Sequence, residues 1–352
     1  MAIQGDLMVV TDFDSAAKFA QDCIARVPAI VLGSGASIPF GYASMPALAV
    51  YLTANVAVGG LSAQEQAQWG DFQNLLAQSD LERALTEIQT SEPLTQRIIE
   101  ATWDCIAASD RSLFLRLIAD PQCLPLTRLF RKLLGTTHDK IDVVTTNYDL
   151  VAEYAADGAA FCHHTGFSHG HYRTRYSGAA VEFVQAQKPA RKVNIWKVHG
   201  SLDWFETADK VTVGLPVPER RYDGLTPVIV TPGVDKYRRS LQEPFRTILT
   251  AADVALVGAP SYLCIGYGFN DEHIQPKLIE RCRNNPVPLV IITKGLTAKT
   301  QEFLASGQCR SYLALEKCAD GTKVYSNDIP GGFDLAGKQI WSFPDFLDMV
   351  GC

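Results

Sequence analysis

Residues 29–41 read Ala-Ile-Val-Leu-Gly-Ser-Gly-Ala-Ser-Ile-Pro-Phe-Gly, and the rest of the chain is organised around them. The apolar run 29–32 leads directly into a turn of small residues at 33–37, which is how a buried parallel strand presents a phosphate-binding loop. Because glycine has no Cβ, its backbone can approach a pyrophosphate and point N–H groups at the anion. The stretch therefore predicts a nucleotide ligand. The alternative is a tight strand-to-helix turn without a ligand.

The turn departs from the G-x-G-x-x-G fingerprint of hydride-transfer enzymes, because Ile38 occupies the third glycine position. That fingerprint also needs an acidic residue about 20 residues later to bind ribose. Here no charged residue occurs between Val27 and Gln64. A dinucleotide that binds this turn is therefore held in a different way.

Length and composition favour a large α/β protein: the chain has 352 residues, 47% of them apolar. A net charge of −6 gives no general basic surface, so direct nucleic-acid binding is not expected. Nine cysteines without a C-x-x-C pair, and no signal-like N-terminal segment, favour the reduced cytoplasm. Proline and glycine interrupt the uncharged stretch 27–64, so no membrane span is expected.

Strand patterns alternate with helix patterns along the chain, and four of the strands end in polar clusters. These strands are 29–32, 141–146, 193–198 and 262–265, and their clusters are 33–37, 147–149, 199–203 and 266–271. Further strands are predicted at 227–230 and 287–292. The alternation predicts a Rossmann-like, mainly parallel sheet covered by helices on both faces, with ligands at the carboxyl ends of the strands.

The whole chain, 1–352, is predicted as a single catalytic domain with two additions. Helical spacing over 59–135, opened by the capping box Ser62-Ala63-Gln64-Glu65 and ended by Gly135, predicts a helical insertion. Residues 157–192 have poor periodicity and many glycines, which indicates a loop-rich small module.

In chain order, the four polar clusters resemble the motifs of the sirtuin family, and more closely its bacterial sirtuin-like branch found in antiphage defence. The matching segments are Gly33-Ser34-Gly35-Ala36-Ser37 for Gly-Ala-Gly-x-Ser, Thr145-Thr146-Asn147-Tyr148-Asp149 for Thr-Gln-Asn-Ile-Asp, Val198-His199-Gly200 for the catalytic histidine motif, and Gly266-Tyr267-Gly268 for the second nucleotide-contacting turn.

The resemblance implies an activity, and the chain departs from the pattern of the zinc-bearing members of the family. Zinc-bearing sirtuins carry two cysteine pairs, whereas only Cys162 lies between Asp149 and His199, so no structural zinc is expected. In the bacterial branch the implied reaction is hydrolysis of NAD to nicotinamide and ADP-ribose, which depletes NAD upon infection. An NAD-dependent protein deacylase and a catalytically silent nucleotide-sensing subunit are the alternatives.

The predicted catalytic residues are Asn147, His199 and Asp149. Asn147 suits the positioning of water because its amide both donates and accepts, although it can instead cap the helix that follows. His199 can accept a proton from a ribose hydroxyl or the water. Asp149 is predicted to hold the nicotinamide amide or to orient its neighbours, and Asp203 to cap the following turn.

The predicted nucleotide contacts spread over the same strand ends. The pyrophosphate is predicted to contact Ser34, Ser37 and the amides of Gly33, Gly35 and Ala36. The adenosine half is predicted to contact Gly268 and Asn270, with Thr293 near its ribose. Thr146 and Gly266 lie in the same motifs and are predicted to contact the nucleotide as well. For Asp271, the role of N-cap of the following helix is as well supported as a role in the site. The histidines 163, 164, 169 and 171 are interpreted as an exposed polar loop in preference to a metal site.

Relatives of this branch often carry a fused sensor, for which the sheet pattern leaves no room here. Control is therefore expected from self-assembly into a homo-oligomer or from a separate partner. By analogy with similar short members, that partner is a HerA-type hexameric ATPase or a short Argonaute-type subunit.

Overall fold

The computed structural model describes residues 9–78, 81–88, 90–135, 137–176, 181–231, 242–271 and 273–352, apart from the side chain of residue 82. The helices are α1 Phe13–Ala25, α2 Met45–Asn55, α3 Ala63–Leu76, α4 Leu81–Glu87, α5 Glu92–Ala119, α6 Pro125–Leu134, α7 Val151–Gly158, α8 Phe245–Gly258, α9 Gln275–Asn284, α10 Ala298–Ala305 and α11 Phe343–Met349. The strands are β1 Ala29–Leu32, β2 Lys140–Thr145, β3 Cys162–His164, β4 Arg173–Thr174, β5 Val184–Gln185, β6 Lys188–Pro189, β7 Lys192–Lys197, β8 Gly200–Glu206, β9 Thr212–Gly214, β10 Thr226–Ile229, β11 Tyr262–Ile265, β12 Leu289–Thr293, β13 Tyr312–Cys318, β14 Gly321–Ser326 and β15 Phe333–Ala336.

A nine-stranded sheet in the order β15-β14-β13-β12-β11-β1-β2-β7-β3 forms the centre of the molecule. From β13 to β3 all neighbours pair in parallel, and β14 and β15 extend the sheet in antiparallel fashion. Strands β7-β2-β1-β11-β12-β13 reproduce the Rossmann order 3-2-1-4-5-6. The predicted fold class is confirmed.

Both faces of the sheet are covered, as the alternation of buried side chains along β1 requires. Ile30 and Leu32 pack into a core shared with α1, α6, α7 and α11, whereas Ala29 and Val31 pack into a core shared with α8, α9 and α10. All four residues are buried, which explains the uninterrupted apolar run in the sequence.

The four predicted polar clusters follow β1, β2, β7 and β11, which are neighbours in the sheet. After β1 the chain continues to β2 and β7 on one side, and β11 then pairs on the other side of β1. This reversal creates the crevice at the carboxyl ends of β1 and β11, where ligands bind in open α/β sheets.

A second sheet, β10-β8-β9-β4, corrects part of the prediction after residue 198. The cluster 199–203 is predicted as polar residues that follow a strand, yet Gly200–Glu206 forms strand β8, which is almost entirely buried. Gly200 has φ +93°, and a Cβ there would lie 2.1 Å from Val228 O, so glycine permits the chain to pass from one sheet to the other. The strand predicted at 227–230 lies beside β8 in this sheet.

Asp203 is therefore not a turn cap, which corrects another expectation. It lies within β8, buried, and its Oδ2 is 2.7 Å from Arg173 Nη2. The arginine comes from β4, a strand that the sequence pattern did not reveal.

The region 59–135 is helical, and its ends agree with the sequence signals. Ser62 and Glu65 form the expected capping box at α3, and Gly135 ends α6. Helices α2 to α5 share a separate apolar core that includes Trp69, Phe72 and Leu94. The region 157–192 contributes the short strands β3 to β6 as well as loops. The treatment of these two regions as parts of one domain stays a prediction.

Within the part of the chain that the structure describes, no helix combines the length and the apolar character that a bilayer crossing needs.

Candidate active site

The glycine turn, residues 33–37 after β1, is held against the end of β11 by backbone hydrogen bonds. The amide of Gly33 donates to Ile265 O at 3.1 Å, and that of Gly35 to Gly266 O at 3.1 Å. A Cβ at Gly33 would lie 2.4 Å from Gly266 O, and one at Gly266 only 2.3 Å from Ala36 N. Glycine is needed at these positions because two backbone segments meet there.

The amides predicted to bind phosphate form hydrogen bonds within the protein. The amides of Gly33 and Gly35 donate to the carbonyls of Ile265 and Gly266 at the end of β11. The amide of Ala36 donates to Gly33 O at 2.9 Å. In this conformation these three N–H groups hold the turn itself, and their assignment to a pyrophosphate stays a prediction. Ser34 has an exposed side chain at the rim of the turn and stays a predicted contact.

Asn147 follows β2 and is fastened to the glycine turn. Its Nδ2 donates to Gly33 O at 2.9 Å and to Ser37 Oγ at 3.1 Å, and its own amide donates to Thr145 Oγ1 at 3.0 Å. A side-chain amide has two N–H donors, so both are used and the remaining capacity is the acceptor Oδ1. The N-cap of α7 is Leu150 and not Asn147, and Asp149 Oδ1 accepts from Val151 N at 3.1 Å at the start of that helix.

Asp149 is tied to both neighbouring strands. Its Oδ2 accepts from Ser37 Oγ at 2.7 Å, and its main-chain carbonyl accepts a hydrogen bond from Lys197 Nζ. Lys197, 1% exposed at the end of β7, also lies 3.2 Å from Glu153 Oε1 on α7. Burial raises the pKa of Glu153, against the opposing effect of Lys197. The geometry favours the orienting role for Asp149.

His199 follows β7 and lies against the segment after β11. Its Nε2 is 2.9 Å from Asp271 Oδ2, without the alignment of a well-formed hydrogen bond. The other oxygen, Oδ1, accepts from the amides of His273 and Ile274, each at 3.0 Å, in the turn before α9. The N-cap of α9 is Ile274, so Asp271 is not the predicted N-cap. Both His199 and Asp271 are buried. The contact places a carboxylate beside the imidazole ring.

The remaining predicted nucleotide contacts lie at the ends of β2, β11 and β12. Thr146 N donates to Leu32 O at 3.4 Å. The carbonyl of Gly268 accepts from Thr297 Oγ1 and Thr300 Oγ1, and Asn270 is half-buried nearby. The hydroxyl of Thr293 donates to Gly295 O at 2.9 Å within its own turn. Their nucleotide contacts stay predictions.

A carboxylate from the helical insertion also reaches this region. Asp110 on α5 is 1% exposed and accepts from Tyr42 OH at 2.7 Å, Tyr154 OH at 2.6 Å and Leu150 N at 3.3 Å. Burial raises the pKa of Asp110, and the two tyrosine hydroxyls oppose that rise.

The four histidines of 163–171 do not form a single exposed loop, which corrects that interpretation. His163 and His164 belong to β3. His163 Nδ1 is 3.1 Å from Asp157 Oδ1, and His164 is buried against Trp196. Burial lowers the pKa of His164 to about 4. His169 and His171 are exposed.

No group of three or more His, Cys, Asp or Glu suited to a metal ion occurs among the described residues. The expectation that a structural zinc is lacking stays a prediction.

The sequence interpretation missed Lys197, Asp110 and the contact between His199 and Asp271. Lys197 interrupts the apolar run 193–198, which is the mark of a buried charge in a strand. Asp110 falls on the apolar face of α5, three residues after buried Ala107 and three before buried Leu113. Both signals were available, but neither identifies the partner.

The sequence from 142 to 294 matches the family model of a SIR2-like domain. This range begins in β2 and ends just after β12, so it includes Asn147, His199 and Gly266 but neither the glycine turn nor the helical insertion. The resemblance to sirtuins is therefore confirmed over those residues.

Solved structures of Sir2 proteins are also similar to the chain. One, from work on the mechanism and regulation of Sir2 enzymes, is 14% identical, with 97% of this chain and 99% of that chain covered and a TM-score of 0.45. A Sir2 homologue in complex with NAD is 12% identical, with 88% and 90% covered and a TM-score of 0.38. Sir2Tm bound to a propionylated peptide is 14% identical, with 80% and 87% covered and a TM-score of 0.40. The comparison with curated proteins found no match.

Proposed function

We propose that the chain is an NAD glycohydrolase that converts NAD and water to nicotinamide, ADP-ribose and a proton. The SIR2-like domain supports an NAD-dependent activity. The observation that carries the proposal is the hydrogen-bonded group of Ser37, Asn147 and Asp149 at the carboxyl ends of β1 and β2. It lies beside the crevice at which a Rossmann-like sheet binds a nucleotide.

In the proposed reaction, the bond between nicotinamide and ribose breaks through an oxocarbenium-like state, and water adds to the ribose carbon. Asn147 Oδ1 accepts a hydrogen bond from that water. Because both Nδ2 hydrogens are bound to Gly33 and Ser37, the acceptor oxygen is held in a fixed direction before the substrate arrives.

His199 takes the proton that the water or a ribose hydroxyl releases. The imidazole becomes positively charged in that step, and the Asp271 carboxylate lies 2.9 Å from its Nε2. Asp149 does not react, and its hydrogen bonds keep the turn of Asn147 against Ser37.

The proposed biological role is that of an effector in a bacterial antiphage defence system, in which hydrolysis depletes cytoplasmic NAD upon infection. The resemblance of the Thr-Thr-Asn-Tyr-Asp motif at 145–149 to the bacterial sirtuin-like branch supports this role. Self-assembly, or a partner such as a HerA-type hexameric ATPase or a short Argonaute-type subunit, is the proposed control.

Nicotinamide release by the purified chain tests the activity. We expect release without any peptide, and a loss of at least about 100-fold in Asn147→Ala and His199→Ala, because each removes a group that acts on the reacting atoms. Asn55→Ala and His171→Ala, which change exposed residues away from the strand ends, are the matched controls and keep wild-type rates.

The same assay separates the alternatives. Release that requires an acylated peptide supports a deacylase, and no release with or without the proposed partners supports a silent nucleotide-sensing subunit. Wild-type turnover in both Asn147→Ala and His199→Ala would refute the assignment of the site. The mass of the protein in solution, measured on the same sample, tests the proposed self-assembly.

A further inference from the structure

Asp110 is a buried carboxylate that the reaction above does not use. It lies on α5, a helix of the insertion, and not on the sheet that carries the other site residues. A charged side chain that is 1% exposed is costly unless hydrogen bonds compensate its lost hydration. Asp110 receives three, which indicates that the arrangement around it is strongly determined.

The three donors belong to three different segments of the candidate site. Tyr42 follows the glycine turn and donates to Oδ1 at 2.7 Å. Leu150 N, in the turn that carries Asn147 and Asp149, donates to the same oxygen at 3.3 Å. Tyr154, in the first half of α7, donates to Oδ2 at 2.6 Å. One carboxylate thus connects the glycine turn, the turn at residues 147–150 (the Asn147 turn) and α7.

The hydrogen bond to Leu150 N concerns the Asn147 turn directly. Asp149 is held by Ser37 from the glycine turn and by Lys197 from β7. Asp110 adds a contact from the side of the helical insertion, at the residue after Asp149. Without it, a buried backbone N–H would lack an acceptor, and the turn would move to find one.

We propose that Asp110 is a positioning residue through which the helical insertion holds the Asn147 turn in its reactive conformation. The predicted effect of Asp110 on turnover rests on the proposed function. Its predicted effect on the conformation of the Asn147 turn does not depend on any activity. A displacement of α5 would change the direction of Asn147 Oδ1 through Asp110 and Leu150. The insertion is then a structural part of the active site.

Amide hydrogen exchange and steady-state kinetics on the full chain test this inference. In Asp110→Ala we expect the peptide containing Leu150 to exchange at least about 10-fold faster. We expect kcat for nicotinamide release to fall about 10- to 100-fold while KM for NAD changes less than about 3-fold, because the variant misplaces a reacting group without touching the nucleotide.

Two further variants separate positioning from general destabilisation. Asp110→Asn keeps an oxygen for Tyr42 and Leu150 N, so it should recover most of the protection at Leu150 and part of kcat. Asp104→Ala changes an aspartate on the same helix that contacts Arg221 instead, and should behave as wild type at Leu150 and in kcat. If Asp110→Ala does not fold, Tyr154→Phe, which removes one donor, gives the same comparison with a smaller effect.

Unchanged exchange at Leu150 in Asp110→Ala would overturn the inference, and so would faster exchange with wild-type kcat. An equal rise in exchange across β1, β2 and β11 in both Asp110→Ala and Tyr154→Phe would also overturn it, since it indicates general destabilisation. A wild-type chain that releases no nicotinamide with or without the proposed partners would refute the proposed function, and the exchange data would then decide alone whether Asp110 positions the turn.

Discussion

Asn147 and His199 follow neighbouring strands, β2 and β7, yet they are held in different ways. Asn147 is fixed by hydrogen bonds to Gly33 and Ser37, and its turn is held from the glycine turn, β7 and the helical insertion. His199 has a close charge contact with Asp271 that is not aligned as a hydrogen bond. A group that orients water must stay in place, whereas a group that gains a proton needs a stabilising charge. The two halves of the candidate site suit the two roles that the proposed reaction gives them.

The segment 266–271 joins the two halves. Gly266 lies against Gly35 and Ala36 at one end, and Asp271 lies against His199 at the other. A change at Gly266 should therefore affect both halves, and a change in either half alone should leave the other in place.

The largest effect is expected from Gly266→Ala, because its Cβ would lie 2.3 Å from Ala36 N and the residue has φ +57°. The turns after β1 and β11 would have to separate, so we expect a loss of about 3 kcal/mol or more in the free energy of unfolding and no measurable nicotinamide release.

Gly224→Ala is the matched control for this change, since Gly224 has φ +73° but open space around it. It carries only the cost of the left-handed backbone, about 1 kcal/mol. Chemical unfolding and nicotinamide release measure both variants, and equal behaviour of the two would contradict the close contact between the turns.

Asp271→Asn should affect the histidine half alone. The amide oxygen can still accept from His273 N and Ile274 N, but the charge beside His199 is lost. We expect kcat to fall about 10- to 100-fold, with a change in unfolding free energy below about 1 kcal/mol. Asp12→Asn, which alters another aspartate whose carboxylate accepts from a backbone amide, at the start of α1, should leave kcat unchanged. Wild-type kcat in Asp271→Asn would remove the carboxylate from the mechanism.

Ser37→Ala should have the smallest effect on turnover, because Asn147 keeps its hydrogen bond to Gly33 O. The variant loses the donor to Asp149 and one acceptor of Asn147, so we expect kcat to fall about 3- to 10-fold and stability to fall by about 1 to 2 kcal/mol. Ser261→Ala removes a buried serine hydroxyl bound to Cys23 O, and should cost similar stability without loss of kcat. A loss of kcat larger in Ser37→Ala than in Asp271→Asn would reverse the order of the two halves.

The sheet and the location of the site were predictable because their signals are local. An apolar run followed by small or polar residues, and then by helical spacing, identifies a strand, its carboxyl end and a helix without any knowledge of the partner strand. All four clusters that follow β1, β2, β7 and β11 were found in this way. Strands β13 to β15 were not predicted, and β14 and β15 extend the sheet in antiparallel fashion, outside the alternation of strand and helix.

The second sheet shows where local signals mislead. The polar residues at 199–203 suggest a turn, but Leu202, Trp204 and Phe205 of β8 are buried beside β10, which lies about twenty residues further along the chain. Strand pairing at that separation depends on tertiary contacts. Asp203 was misassigned for the same reason, because its partner Arg173 lies on another strand.

The sequence alone determined which residues stand at the strand ends, because hydrophobic periodicity and the special backbone of glycine act over a few neighbouring residues. Only the tertiary structure decided what those residues contact: Gly33 and Gly35 amides bind the end of β11, Ser37 binds Asp149 from 112 positions away, and His199 faces Asp271. Hydrogen bonds between distant segments depend on how the helices and strands pack, and the spacing of residues along the chain carries no record of that packing.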